Sequence, residues 1–495
     1  MKLTKQKIDS LYYRFIKGAK RCIERHHYND AIQYIKAAAK TKYEFYLGYT
    51  DETIEEYLRL LSRQIKRVAQ YRVMEKKRCV FYSISIADNK GLTQQYVDAL
   101  IANNYEFLFI HIQDLKDNNC RQLYKTLSTY KGATAIQVPK ELSFISKSQW
   151  LYDKICEYGS DKFLMQLFPH SVFECIAFYA LPPEIKRYNL NLTDHTYWIG
   201  KGCMDYTFEF RQYGCFLSTT QRGFNQNQAL LLPFYPVMKH APFEGFPFDV
   251  DNKIIFFSGG AFYKVFDEEQ TFFKLCRKIL DATQESVIIF AGSGDLSAMQ
   301  KAISNNGMDG RFLLIGERHD IFEVFKHVDI YINTYPLGGG LMSLYAAHCG
   351  VPILNYLKSG IEGCVGQKHD IHFTSSSEND FINEAKRLCS DINYRQEKGQ
   401  ALRNAVISID EFNRGFEIAL EKKLSPTEIN ISGIVETKLD QEGKMQYENK
   451  SHLYSLITSS FFGLKGLVIC PDLFFDCIPL LFTNKMNALC KKIFH

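Results

Sequence analysis

Residues 329–354 read DIYINTYPLGGGLMSLYAAHCGVPIL. The first five, 329–333, have the apolar character of a short buried strand. Pro336 and three glycines, Gly338, Gly339 and Gly340, interrupt it; a helix-like run then leads to a second apolar strand at 351–354. Glycine carries no Cβ, so the backbone there can come close to a ligand. The helix N-terminus behind the glycines offers unpaired N–H groups and a positive dipole end, a setting suited to a phosphate. In open α/β sheets ligands bind outside the carboxyl ends of the strands, where this loop falls. A GGG taken alone also fits an ordinary turn, so its surroundings decide.

Those surroundings repeat one pattern. KIIFFSGG (253–260) is a strand ending in glycine, followed by a helical run at 267–282. SVIIFAGSGD (286–295) repeats it with a helix at 296–305, and RFLLIGERHD (311–320) repeats it with a short helix at 321–327. Apolar runs of four to six residues that end in glycine are too short for buried helices. Strand–helix alternation predicts parallel βαβ units with right-handed crossovers. Residues 250–425 therefore read as one Rossmann-like unit.

The first half shows the same logic. RCVFYSISI (78–86) precedes a polar loop with Asp88, Asn89, Lys90 and Gly91; a helix (93–103) and the strand YEFLFIHI (105–112) follow. GATAIQVP (132–139), a helix through 151–158 and the helical SVFECIAFYALPP (171–183) continue a second Rossmann-like unit over 76–245, with APFEGFPFD (241–249) as the connection. Residues 1–75 contain no proline and space Ala31, Ile32, Tyr34, Ile35 and Ala38, then Ile54, Tyr57, Leu58 and Leu61, on helical faces. They read as a helical extension packed on the first unit, with a basic face that could meet an anionic membrane surface. In the 426–495 tail, 428–451 is polar and 453–482 is apolar, interrupted by Lys465, Asp472 and Asp476. It reads as an appendage covering protein surface, with a membrane-surface anchor as the alternative.

A chain of 495 residues has room for two or three domains with separate cores. Sixty Lys and Arg against 55 Asp and Glu leave a net charge of only +5, which argues against nucleic acid as a partner. Fourteen cysteines show no CxxC pair or metal-ligand spacing, and Cys79, Cys349 and Cys389 sit in apolar runs, as reduced thiols do. The start MKLTKQKIDSLYYRF has no apolar core of a signal peptide, and no run of eighteen apolar residues predicts a membrane span. The expected location is the cytoplasm, with peripheral association at the inner membrane face left open.

The order of SGG after the first strand of the second half, GSG after the next, a polar loop after the third, and a P-x-GGG helix start ending in GVP resembles the nucleotide-sugar half of GT-B glycosyltransferases. It is most similar to bacterial capsule and lipopolysaccharide-type enzymes, and more distantly to the protein O-GlcNAc transferase group. The resemblance covers roughly residues 78–425. It implies an α/β fold of two Rossmann-like units facing a cleft, with the acceptor side at 76–245 and the donor side at 250–425. The implied reaction moves a sugar from a nucleotide-diphosphate sugar, UDP-sugar foremost, to a glycan precursor, a lipid-linked acceptor or a protein.

The resemblance also assigns residues. Ser258, Gly259 and Gly260 end the first donor strand, and Lys264 four residues on would neutralise charge growing on the leaving phosphate. Gly338, Gly339 and Gly340 would cradle the diphosphate through backbone N–H groups. Gly316 and Arg318, in the loop Gly316-Glu317-Arg318-His319, would meet the base or a phosphate, with His319 opening the next helix. Where related enzymes carry a carboxylate for the ribose hydroxyls this chain has Tyr345, whose phenol cannot accept two such bonds. Met342 stands where a hydroxyl residue is frequent, with Ser343 beside it.

In the first half, NLNLTDHTYWIGKGCMDY (189–206) gathers Asn191, Asp194, His195, Tyr197, Trp198 and Gly200. A histidine beside a carboxylate suits a general base near neutral pH, and the DH-x-x-W-x-G segment matches the bacterial enzymes, so His195 or Asp194 is the expected base. Asp205, Tyr206, Arg211 and Arg222 extend the cluster towards acceptor or diphosphate. No DxD run follows a strand and no Cys/His spacing marks a metal, so neither metal nor cofactor is expected beyond the donor itself. Two alternatives stand beside this reading: a nucleotide-sugar 2-epimerase, and a degenerate GT-B module that binds a partner glycosyltransferase, the latter favoured by Met342 and Tyr345.

Overall fold

The computed structural model describes residues 4–45, 47–74, 77–84, 92–114, 120–237, 241–357, 373–432, 434 and 466–471. The loop with Asp88 to Gly91 and most of the tail beyond 434 lie outside the described residues.

Three helices open the chain: α1 (Lys5–Glu24), α2 (Tyr28–Glu44) and α3 (Glu52–Ser62). The Asp51 carboxylate caps α3 by accepting the Ile54 N–H at 3.1 Å, which satisfies one of the unpaired donors of its first turn. Ile8, Leu11, Phe15 and Ala19 of α1, Ile32 and Ile35 of α2, and Ile54, Leu58 and Leu61 of α3 are all buried at helical spacing. They share one core with Val80, Tyr82 and Phe163 of the sheet that follows. Cys470, from the described part of the tail, is buried in that core too.

The next stretch alternates β1 (Arg78–Ser83), α4 (Leu92–Ala102), β2 (Glu106–His111), α5 (Arg121–Thr129), β3 (Ala133–Gln137), α6 (Phe144–Tyr158), β4 (Lys162–Gln166), α7 (Val172–Ala180), β5 (Lys186–Leu190), β6 (Tyr206–Glu209), α8 (Gln212–Thr220) and β7 (Ala229–Leu231). The sheet order is β3-β2-β1-β4-β5-β6-β7, parallel throughout. Its strands β1, β2, β4, β6 and β7 are nearly continuous in burial, as a sheet covered by helices on both faces requires, while the edge strand β3 is partly exposed.

The second half runs β8 (Ile254–Gly259), α9 (Thr271–Ala282), β9 (Ser286–Ala291), α10 (Leu296–Asn305), β10 (Phe312–Gly316), α11 (Ile321–Val324), β11 (Ile330–Ile332), α12 (Gly340–Cys349), β12 (Ile353–Tyr356), β13 (Phe373–Ser375), α13 (Glu378–Ser390), α14 (Ile392–Ala405) and α15 (Ile409–Lys422). The order β10-β9-β8-β11-β12-β13 makes a second all-parallel sheet. Each apolar run ending in glycine in this half of the sequence is one of its strands.

One helix departs from the expected division at 425. The Ser408 and Glu411 capping box starts α15, and this helix packs on α4 and the first sheet rather than on the second. Phe412, Phe416 and Leu420 are buried there against Tyr96 and Phe208. Burying each such side chain is worth about 1.5–3 kcal/mol. The exposed Lys77–Glu417 ion pair beside them contributes about 0–1 kcal/mol, so apolar contact dominates the attachment.

Candidate active site

Each sheet reverses its strand order once, between β1 and β4 in the first and between β8 and β11 in the second, the places where an open sheet leaves a crevice at its carboxyl edge. At the second crevice, the Gly260 N–H donates to the Ala291 carbonyl at 2.9 Å and the Gly292 N–H to the Gly316 carbonyl at 2.8 Å. The ends of β8, β9 and β10 thus form one backbone shelf holding Ser258, Gly259, Gly260 and Gly316. A Cβ on Gly292 would fall 1.9 Å from the Gly260 carbonyl oxygen, so only glycine permits this approach.

Lys264 lies on a short 3-10 turn, 262–265, and its carbonyl accepts the Leu337 N–H at 3.3 Å. That bond joins the lysine to the loop of Gly338, Gly339 and Gly340. No side chain caps α12, which starts at Gly340, so its first-turn N–H groups have no intrahelical acceptor and stand at the positive end of the dipole. Asn333, at the end of β11, braces the loop. Its Oδ1 accepts the N–H groups of Thr334 at 3.0 Å and Gly339 at 2.8 Å, and its Nδ2 donates to Asn355 at 3.1 Å. The Gly339 N–H is therefore already engaged, and the open amides begin at Gly340. Ser258 and Ser343 are buried here, and neither hydroxyl has a hydrogen-bond partner among the described residues.

Two expected ligand contacts have other employment. The Arg318 guanidinium donates twice to Asp320, at 2.6 Å each, and once to the Gly245 carbonyl at 2.7 Å; Asp320 also accepts the Glu244 N–H at 2.8 Å. Arg318 thus pins the 241–249 connection to the second unit, and its bonds hold the Asp320 carboxyl below the usual range. The Tyr345 hydroxyl donates to the Val237 carbonyl at 3.0 Å, with its ring against Phe322 and Phe325, so it ties α12 to the end of the first unit. His319 precedes Asp320, the residue before α11, instead of starting that helix.

In the first unit, Asp194 is wholly buried just beyond β5. It accepts Arg211 Nε at 2.5 Å and Arg211 Nη2 at 2.9 Å, and its Oδ1 lies 3.3 Å from His195 Nδ1. Burial alone would raise this carboxyl, but Arg211 and His195 override it and hold it well below the usual range. The His195 side chain is 39% exposed against 1% for Asp194, so the imidazole, backed by the carboxylate, is the accessible partner. Arg222 is buried beneath the same loop: its Nη2 donates to the carbonyls of Asp194 at 2.5 Å and Thr196 at 2.7 Å, and its guanidinium lies over Trp198.

Asp205 and Tyr206 do not join this group. Tyr206 begins β6 and Asp205 directly precedes it, whereas Asp194 lies beside the other end of that strand, roughly 13 Å away. Asp205 is held bidentate by Arg187 at 2.9 Å, and Tyr206 stacks on Tyr188. Proximity in sequence is misleading here because a strand carries its two ends to opposite edges of the sheet.

The neighbour absent from the sequence reading is Glu209, at the end of β6. Its buried carboxyl accepts Asn191 Nδ2 at 2.9 Å, Thr207 Oγ1 at 2.9 Å and Ser218 Oγ at 2.6 Å. A Cβ on Gly214 would come within 2.4 Å of it and 3.2 Å of Asp194, so glycine makes room for both acids. Burial pushes Glu209 up to about 7, with Arg222, Ser218 and Asn191 opposing and Asp194 adding to the rise. A carboxyl raised on folding contributes stability while protonated and loses it as pH climbs through the folded value. From 4.5 to about 7 the loss is on the order of 3 kcal/mol. Glu209→Gln is expected to flatten the fall in unfolding free energy across that window in denaturant titrations; an unchanged slope would remove Glu209 as its source.

Among the described residues no group of three or more His, Cys, Asp or Glu side chains is arranged to hold a metal ion.

Compared by sequence, the chain matches no family model and no curated protein. Compared by structure, it is similar to a mutant O-GlcNAc transferase from Thermobaculum terrenum, with a TM-score of 0.54 and 17% identity over 83% of this chain and 82% of that one. A glycosyltransferase from Rickettsia africae matches with a TM-score of 0.53 and 9% identity, over 71% and 99% of the two chains. The lipopolysaccharide outer core galactosyltransferase WaaB, in its apo form, matches with a TM-score of 0.52 and 15% identity, over 70% and 100%. The fold is that of the GT-B glycosyltransferases, as the glycine pattern of the second half implied.

Proposed function

We propose that this chain is a metal-independent glycosyltransferase that takes a sugar from a nucleotide-diphosphate donor, UDP-sugar foremost, and passes it to a hydroxyl of a glycan, lipid-linked or protein acceptor. The observation that carries this reading is the bond between the Lys264 carbonyl and the Leu337 N–H, because it joins a cation to the uncapped start of α12. In this reading the diphosphate lies on the first-turn amides of α12, with the Ser258 and Ser343 hydroxyls as further donors and the backbone edge at Gly316 meeting the base. As the bond between the sugar and the β-phosphate oxygen breaks, the Lys264 ammonium takes up the growing negative charge. His195 removes the proton of the acceptor hydroxyl, and Asp194 holds the imidazole and stabilises its charged form. The three structural likenesses are all to glycosyltransferases, which agrees with the class.

No helix among the described residues is long and apolar enough to cross a membrane. A cytoplasmic site of action, with the basic side of α1 meeting an anionic membrane surface, belongs to the same proposal.

A second reading has one observation in its favour. Tyr345 and Arg318 are both committed to structural bonds, so the second crevice keeps fewer side chains for a nucleotide than the resemblance implied. This favours a degenerate GT-B module that acts as a binding partner of another glycosyltransferase. Thermal shift with UDP-, GDP- and dTDP-sugars, followed by UDP-release measurements, separates the two. A ligand at about 100 times its Kd adds about 2.7 kcal/mol of stability. Binding with sugar release supports the enzyme, binding without release supports the module, and a panel with no shift removes the donor site.

A further inference from the structure

We infer that Glu55, in the N-terminal helices, is a positioning residue of the transfer site: its carboxylate clamps the backbone of the loop that carries Asp194 and His195. The inference rests on the reading of that loop as the part that activates the acceptor.

Glu55 sits on α3 and is only 5% exposed. One of its oxygens accepts the Gly200 N–H at 2.6 Å; the other accepts the Gly202 N–H at 3.3 Å and the hydroxyl of Tyr179 from α7. No lysine or arginine of the described residues forms an ion pair with it. Burial pushes this carboxyl up, and the three donors only partly counter the rise. An apolar side chain would pack the same interface without that desolvation cost, as its neighbours Ile54, Leu58 and Leu61 do. What the carboxylate supplies and an apolar group cannot is a fixed pair of acceptors for two loop amides.

The loop needs such a hold. Between His195 and Gly200, the Thr196 hydroxyl, the Tyr197 hydroxyl and the Trp198 indole N–H are buried with no hydrogen-bond partner among the described residues. These side chains therefore do not fix the segment by polar bonds. Its backbone is gripped at both ends instead. Arg222 takes the carbonyls of Asp194 and Thr196, and Glu55 takes the amides of Gly200 and Gly202. Gly200, the first residue of the Glu55 grip, turns the chain at a φ of 92°, which a side chain rarely adopts. Trp198, Ile199 and Cys203 share a core with α3, so moving the helix moves the loop. The N-terminal helices are thereby part of the transfer site itself.

The test uses the full chain with Glu55→Gln, which keeps the size but sets an N–H against one of the two amides, and with Tyr179→Phe, which removes a donor without touching them. Hydrogen exchange of the 193–204 segment, turnover, UDP affinity and melting temperature are measured together. Glu55→Gln is expected to exchange at Gly200 and Gly202 at least tenfold faster and to lose at least tenfold in kcat, with UDP affinity within twofold. Tyr179→Phe is expected to change each by less than threefold. Unchanged exchange, or full kcat below a lowered melting temperature, would reduce Glu55 to packing support and overturn the inference. If Glu55→Gln does not fold, Glu55→Asp keeps the charge, draws it back by one methylene and is judged by the same two outcomes. Exchange reports on the clamp even if the wild-type protein transfers no sugar, so failure of the glycosyltransferase reading is told apart from failure of the clamp.

Discussion

His195→Ala is expected to lower sugar transfer by about 10²–10⁴-fold, the usual cost of losing a general base, while UDP affinity and the melting temperature stay near wild type. The imidazole is 39% exposed and its only polar contact among the described residues is the 3.3 Å approach to Asp194, so little of the fold depends on it. Asp194→Asn should behave differently. Its carboxylate is buried against Arg211, and breaking a buried pair by removing one partner costs about 3–5 kcal/mol. The expected Asp194 variant is therefore less stable as well as slower, and its residual rate must be taken well below its melting temperature. An active His195→Ala beside a dead but folded Asp194→Asn would transfer the base to the carboxylate. Full rates in both would make the cluster structural.

Lys264→Ala is expected to reduce turnover by about 10²–10³-fold, the typical cost of removing one stabiliser of a developing charge. The charge on the leaving phosphate grows mainly in the transition state, so kcat should fall more than UDP affinity does. The turn that carries the lysine is built from main chain: its N–H donates to Ala261 at 3.0 Å and its carbonyl accepts from Leu337 at 3.3 Å. Both bonds survive truncation of the side chain, and a melting curve measured beside each rate separates lost chemistry from lost stability. Single-turnover rates with the preferred donor read the effect directly, and a loss below about threefold would leave Lys264 outside the chemistry.

Much of the architecture is legible in the sequence. Apolar runs of four to six residues ending in glycine became the strands of the second sheet because a strand buried on both faces has to be apolar throughout, and its turn at the carboxyl edge needs backbone freedom. The helix at 296–305 appears as α10 with those bounds, opened by the Asp295 cap. The glycines before α12 marked the crevice of the second sheet for the same local reasons. Asn333 carries no such local signal, since one polar residue ending an apolar strand looks like any other; only the fold shows its amide bracing Thr334, Gly339 and Asn355.

Periodicity, chain punctuation and charge balance are local properties, and from them the sequence alone determined the alternation of strand and helix, the pair of Rossmann-like units and the position of the glycine crevice. Which polar groups meet is a long-range matter, settled by how whole elements pack. The tertiary structure separated Asp205 and Tyr206 from Asp194 by sending the two ends of β6 to opposite sheet edges, gave Arg318 to Asp320, and gave Tyr345 to Val237. It also returned α15 to the first sheet and brought Glu55 to amides some 145 residues away. Nothing local to a side chain encodes such a partner, because the pairing follows from the way whole elements pack.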